Sequence, residues 1–528
     1  MISSFFLFFT LWIRLTIQSQ FQKVDNDDKK KTKESDSNII SGRVQKRTLD
    51  DTSGTCGPGC QYIFQSGTLT ISGNGNITEK PWNSYRDSVT TVIINEGIIS
   101  IGSSSFQYLS SLSSVTLPQS ICEIRSYAFH SCPSLQPFAI PSSVTIISDN
   151  IFRDCNFQYF TIPDSITEIR EGAFWACRNL VTFTIPPKVT KLGISAFDTC
   201  TSLTSISLPK DCIDLGIKIF LSCSSLTSLS LPEDLSIIPS RAFEGTSIER
   251  LDVPSNLSIF GDESFRNSKL QTVNFNQKVK ELRGCCFYGC PFSTINLPDS
   301  IEIIGNEAFK SCSNLLSIKL PETVTVISGG VFQNCKNLVS VELSKSTVSI
   351  EGSAFYSCHK LTTIELPEGV RKIESNAFQD CYVLPSINIP ETVYYLGDSI
   401  FGSCSKLRSV NFPKNVSVVP YSMFNGCSEL PTIEFHENLR VIEIWAFRYC
   451  PCLDNIVIPK SVYEIKGGAF EGCGSLRSIV IPDNVTVISE NVFNGCGKLS
   501  SVILSKSAQI IKSSSFSYSG IISIEIPE

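Results

Sequence analysis

The chain has 528 residues, of which 42% are hydrophobic and 18% are charged, and its formal net charge is −6. The 44 lysines and arginines are spread along the chain without a basic stripe, which argues against nucleic acid as a partner. Phe is abundant at 34 residues, whereas Trp (4) and Met (2) are rare. This skew indicates that one structural position requires Phe again and again.

The first twenty residues contain an apolar run of nine, from Phe5 to Ile13. The run is too short to span a bilayer, and it is typical of the apolar segment of a signal peptide. No Lys or Arg precedes it and no clear small-residue cleavage site follows, so an uncleaved amphipathic leader is the alternative. We predict a signal peptide over residues 1–20.

Residues 21–53 are polar, with two aspartates and three lysines in succession at 27–31. A segment of this composition cannot bury enough apolar surface to become ordered, so we predict a disordered charged spacer. Further along the chain, four Asn-x-Ser/Thr sequons are compatible with secretion. These candidate glycosylation sites are Asn76, Asn256, Asn415 and Asn484.

From residue 106 onward the sequence repeats, with one Phe in each unit. Of the eighteen intervals between successive Phe residues, fourteen are 23 residues long and four are 22. The nineteen positions are Phe106, Phe129, Phe152, Phe174, Phe197, Phe220, Phe243, Phe265, Phe287, Phe309, Phe332, Phe355, Phe378, Phe401, Phe424, Phe447, Phe470, Phe493 and Phe516. A fixed period of this length is typical of a solenoid of stacked coils.

One regular unit, residues 361–381, shows how each coil is built. Ile364 and Leu366 alternate with polar residues, which predicts a strand, and Pro367 ends it because proline has no N–H for the ladder. All length changes fall between Phe and the next Pro position, so that segment contains the tolerant loop. We predict a leucine-rich-repeat solenoid, mostly β with short loop or helical turns, in which about nineteen stacked repeats form an elongated arc.

Fifteen of the 22 cysteines lie three residues after the repeat Phe. Neighbouring cysteines in such a column would have parallel Cβ atoms about 4.8 Å apart, whereas a disulfide requires about 3.5–4.5 Å. A linear column also cannot supply four tetrahedral zinc ligands. We therefore predict buried free thiols in the column. Cys56 and Cys60, close together before the repeats, could form a small disulfide.

The three histidines, His130, His359 and His436, fall in loop or strand-end positions of different repeats. None has a Ser or Cys partner at the spacing of a catalytic motif, and no phosphate-binding loop is present. We predict that the protein is not an enzyme and that it uses neither a cofactor nor a metal.

The polar side of the predicted strand is the candidate ligand face. Its main position, just before the last apolar residue of the strand, holds small residues at first, then amides and charges, and finally three aliphatic residues. The candidate ligand residues are Asp252, Asn274, Asn296, Lys319, Glu342, Glu365, Asn388, Asn411, Glu434, Val457, Val480 and Ile503. A solvated ladder without a ligand is the alternative interpretation.

Two subsets of this column carry particular expectations. Glu342 and Glu365 should be neighbours, and because like charges on adjacent strands repel, they could share a cation or contact a basic partner. Val457, Val480 and Ile503 should form an exposed apolar stripe, which is typical of a contact site for another chain.

Units such as LTTIELPEGVRKIESNAFQDC (361–381) and LRSIVIPDNVTVISENVFNGC (476–496) resemble the BspA-like leucine-rich repeats, a 23-residue class with an AFxxC signature. Residues 54–102, with Gly-Thr-Cys-Gly, Gly-Thr-Leu-Thr-Ile-Ser-Gly and Pro-Trp elements, resemble the amino-terminal cap of that family. The resemblance implies an amino-terminal β cap over residues 54–95 and a repeat solenoid over 96–528.

The resemblance also implies a function. Proteins of this family are secreted or displayed on cell surfaces, and the expected role is binding of proteins or glycans in adhesion to host cells or other microbes. The alternative is an intracellular or granule protein-interaction scaffold. Because no apolar run of 18 or more follows, we expect no transmembrane helix, and the open edge of the last repeat could associate with a second copy.

Overall fold

The chain winds in successive turns of 22 or 23 residues, and equivalent positions of neighbouring turns lie side by side. Ser205 pairs with Ser228, 23 residues away, and Ile237 pairs with Ile259, 22 residues away. The computed structural model describes residues 52–525. The predicted signal peptide, residues 21–51 of the predicted spacer and residues 526–528 lie outside the described residues.

A first ladder of parallel strands runs along one side of the coil, at the position predicted from the alternating pattern before each Pro. The inward side chain of each strand is buried, or half-buried at Leu229 and Val502. The flanking side chains point outward, as with Ser340 and Glu342 on either side of Val341. Its strands are Thr68–Gly73, Thr91–Ile94, Ser114–Thr116, Ser205–Ser207, Ser228–Ser230, Arg250–Asp252, Thr272–Asn274, Ser317–Lys319, Ser340–Glu342, Thr363–Ile364, Ser386–Ile387, Ser409–Val410, Ser478–Val480 and Ser501–Ile503.

A second ladder of short parallel strands begins about five residues after each Pro position and forms another side of the coil. Most of these strands have two residues, of which the second is buried and the first faces outward, as in Lys372–Ile373. Its strands are Gly75–Ile77, Ile98–Ile101, Glu123–Ile124, Ile146–Ile147, Glu168–Ile169, Lys191–Leu192, Asp214–Leu215, Ile237–Ile238, Ile259–Phe260, Glu281–Leu282, Ile303–Ile304, Val326–Ile327, Ser349–Ile350, Lys372–Ile373, Tyr395–Leu396, Val418–Val419, Val441–Ile442, Glu464–Ile465, Val487–Ile488 and Ile510–Ile511.

The third side, which we call the turn face, consists of the residues from three before to two after each repeat Phe. It has no regular strands, yet backbone hydrogen bonds join each turn to the next. Phe355 N donates to Ala377 O at 2.8 Å, and Ser353 N donates to Ser375 O at 2.9 Å. In every repeat the residues two before and two after Phe have positive φ, for example Asn376 (60°) and Asp380 (61°). The left-handed conformation turns the chain sharply on both sides of the Phe.

The Phe residues form a continuous column inside the coil. Phe378 is fully buried, and its ring centroid lies 5.2 Å from that of Phe355 and 5.8 Å from that of Phe401, with the rings nearly parallel. Stacked rings of this kind stabilise a fold beyond their buried area by about 0.5–1.5 kcal/mol per pair. The predicted solenoid of stacked repeats is confirmed.

The short repeats confirm that the tolerant loop follows the Phe. In a 23-residue unit, two turn residues, His359 and Lys360, separate Cys358 from the next buried apolar residue. In the short unit after Phe152 only Asn156 takes their place, and the turn is absent. The deletion therefore shortens a surface turn and leaves both ladders in register.

The amino-terminal segment combines an antiparallel sheet with the start of the solenoid. Strand Thr52–Gly57 pairs antiparallel with Cys60–Gln65, which pairs antiparallel with Thr68–Gly73; this last strand pairs in parallel with Thr91–Ile94. A disulfide joins the two cysteines of the first hairpin, Cys56 and Cys60. The parallel ladder thus begins within residues 54–95.

Trp82 closes the amino-terminal end of the Phe column. It lies in Pro81–Ser88, a 3-10 helix, and its ring stacks on Phe106 at 5.5 Å between centroids. Its indole Nε1 donates to Ser105 O at 2.7 Å. No helix among residues 52–525 combines the length and apolar composition needed to cross a lipid bilayer.

Candidate ligand-binding face

The structure brings the twelve candidate ligand residues together in one column on the outer side of the first ladder. Eleven of them are exposed, and only Asn411 is half-buried. The inward residues of the same strands are buried, as Val273 is beside Asn274. The first ladder therefore presents one outward side chain per repeat at this position.

A groove of about 770 Å³ crosses this column where the charged residues lie. Its lining includes Lys319, Glu342 and Glu365 from three successive repeats. A smaller groove of about 270 Å³, lined in part by Asn296 and Asp299, also reaches Lys319. The two grooves thus share the Lys319 side chain.

Lys319 and Glu342 form an ion pair in the larger groove, with Nζ and Oε1 at 2.5 Å. The hydrogen bond to Glu342 raises the pKa of Lys319. Both side chains are about two-thirds exposed, so solvent screens the pair and it contributes little to stability. Glu365 forms no ion pair with residues 52–525, and no group of three His, Cys, Asp or Glu residues in this range could hold a metal ion.

The repeat pattern of the sequence did not indicate the charged rim of this groove. Glu322, Lys345 and Glu368 lie directly after the Pro position of three successive repeats and line the larger groove. Glu322 accepts a hydrogen bond from the backbone N of Lys345 at 2.9 Å, so its carboxylate also satisfies a donor of the next repeat. The Pro-Glu pairs at 321–322 and 367–368 were the available signal.

Together, the column and rim residues give this groove an acidic balance. Four carboxylates and two lysines line it. Because Glu342 is neutralised locally by Lys319, the unpaired acceptors concentrate around Glu365 and Glu368. An electronegative groove of this kind attracts a basic group of a partner.

Three of the other amide and acidic residues in the column, Asp252, Asn274 and Asn411, bind to their neighbours. Asn274 Nδ2 donates to Asp252 Oδ1 at 2.5 Å, and hydrogen bonds from Asn274 and Arg250 hold the pKa of Asp252 below its ordinary value. Asn411 donates to Ile389 O and accepts from Ile389 N, both at 2.6 Å. The Asn411 side chain therefore links its own repeat to the preceding one through two hydrogen bonds, and it is less available to a ligand.

The aliphatic end of the column is the most exposed apolar part of this face. Val457 is 74% exposed, Val480 57% and Ile503 59%. Val480 and Ile503 are register partners in the first ladder. These three residues, which we call the apolar stripe, occupy a position that holds Ser or Thr in several other repeats.

The sequon asparagines differ in accessibility. Asn415 and Asn484 are exposed, and each donates its amide to the backbone of the preceding repeat, to Glu391 O and Lys460 O. Asn76 and Asn256 are half-buried. The two exposed sites are the better candidates for carrying a glycan.

Two of the three histidines contact side chains of neighbouring repeats. His130 is buried and its Nδ1 lies 2.8 Å from Gln107 Nε2, while Nε2 lies 3.8 Å from Asp154 Oδ2. His359 stacks on Tyr382 with 4.7 Å between ring centroids. Both positions are explained by packing between repeats.

Comparison with known proteins supports the repeat assignment. A family model described as BspA type leucine-rich repeat region matches residues 77–156, 145–270, 236–361, 326–453 and 418–528. No curated protein matches the chain at a significant level.

Several solved structures resemble this chain. A leucine-rich repeat protein from Bacteroides ovatus is 23% identical, with 84% of this chain and 93% of that chain covered and a TM-score of 0.40. One from Eubacterium ventriosum is 17% identical, with 90% and 96% covered and a TM-score of 0.33. A leucine-rich cell surface protein from Faecalibacterium prausnitzii is 22% identical, with 86% and 94% covered and a TM-score of 0.30.

Proposed function

The chain belongs to the BspA-type leucine-rich repeat family, and we propose that it is a non-catalytic, secreted or cell-surface binding protein that acts in adhesion. Its ligand, a protein or glycan on a host or neighbouring cell, binds to the outer side of the first ladder. The observation that carries this proposal is the exposed column there, whose chemistry changes along the chain while the inward positions stay uniformly apolar.

The fold itself does not require this variation. In the amino-terminal repeats the column holds Thr or Ser, except for Ala139, and such small residues suit a solvated strand. The carboxyl-terminal repeats instead expose Val457, Val480 and Ile503, and contiguous exposed apolar side chains are typical of interaction sites. A ligand that contacts both the acidic groove and the apolar stripe would carry a basic and an apolar part, which favours a protein over a neutral glycan on this face.

Secretion is supported by several independent features. The predicted signal peptide stays a prediction, because residues 1–20 lie outside the described residues. The exposed sequons at Asn415 and Asn484 and the disulfide between Cys56 and Cys60 are compatible with an oxidising compartment.

The free thiols favour the alternative, an intracellular scaffold, because unpaired cysteines are unusual in secreted proteins. Twenty cysteines are free, but only Cys122 and Cys452 are exposed, and Cys285 is half-buried. The others are buried, so the structure itself protects them from an oxidising medium. Free thiols therefore do not exclude export.

The first test is antibody labelling of intact, unpermeabilised source cells, with a parallel blot of the medium. Signal on the surface or in the medium is expected. Labelling only after permeabilisation would remove the adhesion proposal and leave the scaffold.

A second test addresses the binding face. The full chain with Val457→Lys and Val480→Lys should bind epithelial cells at least about tenfold more weakly than the parent, because two charges replace the apolar contact. Thr161→Lys with Thr184→Lys is the matched control, since it places the same charges at exposed positions of the same column. Thermal unfolding should be unchanged in both, and undiminished binding by the first variant would contradict the proposed face.

A further inference from the structure

The turn face carries an aromatic cluster that neither the repeat architecture nor the first ladder explains. Trp445 and Tyr449 occupy the two left-handed positions of one repeat, with φ of 58° and 53°. Most such positions hold Gly, Ser, Asn or Asp, which tolerate this conformation at lower cost. Among residues 52–525 this is the only repeat with aromatic residues at both positions.

Large side chains at these positions are a cost to the fold. A bulky residue held at positive φ is strained and persists only where the surroundings fix it, often at functional sites. In this repeat, glycines of the next repeat leave space for both rings. A Cβ on Gly468 would lie 2.6 Å from Trp445 Cδ1, and a Cβ on Gly472 would lie 2.5 Å from Tyr449 Cδ1. Each ring therefore lies directly over a glycine.

Arg448 joins the two rings into one unit. Its guanidinium carbon lies 4.9 Å from the Trp445 ring centroid and 4.5 Å from that of Tyr449, a cation–π arrangement on both. Its Nη2 donates to Tyr449 Oη at 3.0 Å, and its Nε lies 2.9 Å from Glu471 Oε2. Tyr421 of the preceding repeat lies 5.5 Å from Trp445 between ring centroids.

The cluster is open to solvent and electrically balanced. Tyr449 is 50% exposed and Tyr421 37%. Arg448 is paired with Glu471, and the nearby Lys466 is paired with Glu443 at 2.6 Å. A balanced patch gives no long-range attraction to a strongly charged partner.

We propose that Tyr421, Trp445, Arg448 and Tyr449 form an aromatic platform that binds pyranose rings of a neutral glycan. The ring surface that Arg448 leaves uncovered is electronegative and attracts the electropositive C–H groups on the flat side of a sugar. Tyr449 and Tyr421 keep such surface exposed. Paired Arg448 and Glu471 offer a donor and an acceptor to hydroxyl groups. The indole Nε1 of Trp445 donates no hydrogen bond within residues 52–525, so it is available to a ligand.

This platform is separate from the proposed ligand face, because it lies on the turn face and uses other residues. The test is calorimetric titration of the full chain with four neutral hexaoses, built of β-linked glucose, N-acetylglucosamine, mannose or galactose. At least one should bind, and the variant Trp445→Asn with Tyr449→Ser should bind it at least about tenfold more weakly.

The substitutions are chosen to keep the fold intact. Asn and Ser occupy the equivalent positions at Asn376 and Ser403, so the double variant should unfold at the parent temperature or above it. Tyr108→Ser is the matched control: it removes an exposed tyrosine from the same face and should leave binding unchanged. Val457→Lys with Val480→Lys should also leave hexaose binding unchanged, which separates this proposal from the first.

Two results would overturn the platform. In the first, none of the four hexaoses binds the parent chain. In the second, a hexaose binds and the double variant binds it equally well. Loss of cell binding by the double variant without any hexaose binding would assign the cluster to a protein contact instead, and the glycan proposal would be wrong.

Discussion

The thiol of Cys381 donates a hydrogen bond to the backbone carbonyl of Phe355, one repeat earlier, at a distance of 3.3 Å. The same bond, from Cys Sγ to the Phe oxygen of the preceding repeat, recurs at every cysteine of the column at 3.1–3.3 Å. At one exception, Thr246 Oγ1 donates to Phe243 O at 2.9 Å. The position therefore favours a small hydrogen-bond donor, although Leu109 occupies it in the first repeat.

We expect Cys381→Ala to lower the free energy of unfolding by about 1–2 kcal/mol, because it removes one hydrogen bond and leaves a small cavity. Cys381→Ser should cost less, because its hydroxyl keeps the donor. The Phe355 oxygen also accepts from Cys358 N at 3.1 Å, which limits both losses. Urea unfolding measures the difference, with Cys452→Ala as the exposed control. A serine variant less stable than the alanine variant would contradict the hydrogen-bond explanation.

Thiol labelling should distinguish the cysteines by burial. At pH 8 an excess of iodoacetamide should modify Cys122 and Cys452 in the folded protein and Cys285 slowly, since burial raises the pKa of Cys285 to about 11. The column thiols should react only after denaturation, because the thiolate is the reactive form. Intact mass before and after urea treatment counts the modified sites. More than three modifications in the folded state would show that the coil opens.

Stability should fall steeply in alkaline solution. Burial raises the pKa of Cys132 and of Cys335 to about 12, whereas a cysteine in the unfolded chain has a pKa of about 8.5. Between these values the folded state holds the proton and the unfolded state loses it. The stabilisation is therefore complete below about pH 8 and decreases by about 1.4 kcal/mol per pH unit for each such thiol above that.

Urea unfolding at pH 7, 9 and 10 under reducing conditions tests this. Lysines and tyrosines also titrate in this range, so the control replaces part of the thiol column. A variant with four consecutive column cysteines changed to Ser should lose less stability per pH unit than the parent. The four positions are Cys358, Cys381, Cys404 and Cys427. Equal slopes in the two proteins would show that other groups cause the alkaline loss.

The left-handed positions of the turn face should reject β-branched residues. Asn376 has a φ of 60°, and its backbone N donates to Asp398 O at 2.8 Å. Asn376→Gly should leave stability nearly unchanged, while Asn376→Val should lower it by about 1–3 kcal/mol, because valine is strained at positive φ. Thermal unfolding of both variants measures the difference in their stability. Equal stability of the two would mean that this turn relaxes without cost.

Much of the fold could be predicted because the same packing contacts between neighbouring turns recur in every repeat. The Phe spacing predicted the buried column, and the alternation around Ile364 predicted the first ladder. The length changes predicted the loop that lacks a turn after Cys155. The exposed column with Val457 also follows from the alternation, since neighbours on a strand point to opposite sides. Whether a ligand binds there is not encoded in the repeat.

The sequence alone did not predict how the turn face is built. Its paired left-handed residues vary between Gly, Ser, Asn and larger side chains, so no single residue type marks them. Backbone bonds such as Phe355 N to Ala377 O join residues 22 apart, and they exist only after the coil has closed.

The sequence by itself determined the period, the buried positions and the family of this protein, because each depends on a pattern that recurs within the chain. Only the tertiary structure decided that the column thiols bond across repeats, that Lys319 neutralises Glu342, and that Trp445 lies over Gly468. These contacts join side chains from neighbouring turns. Their geometry is therefore set by how one turn stacks on the next.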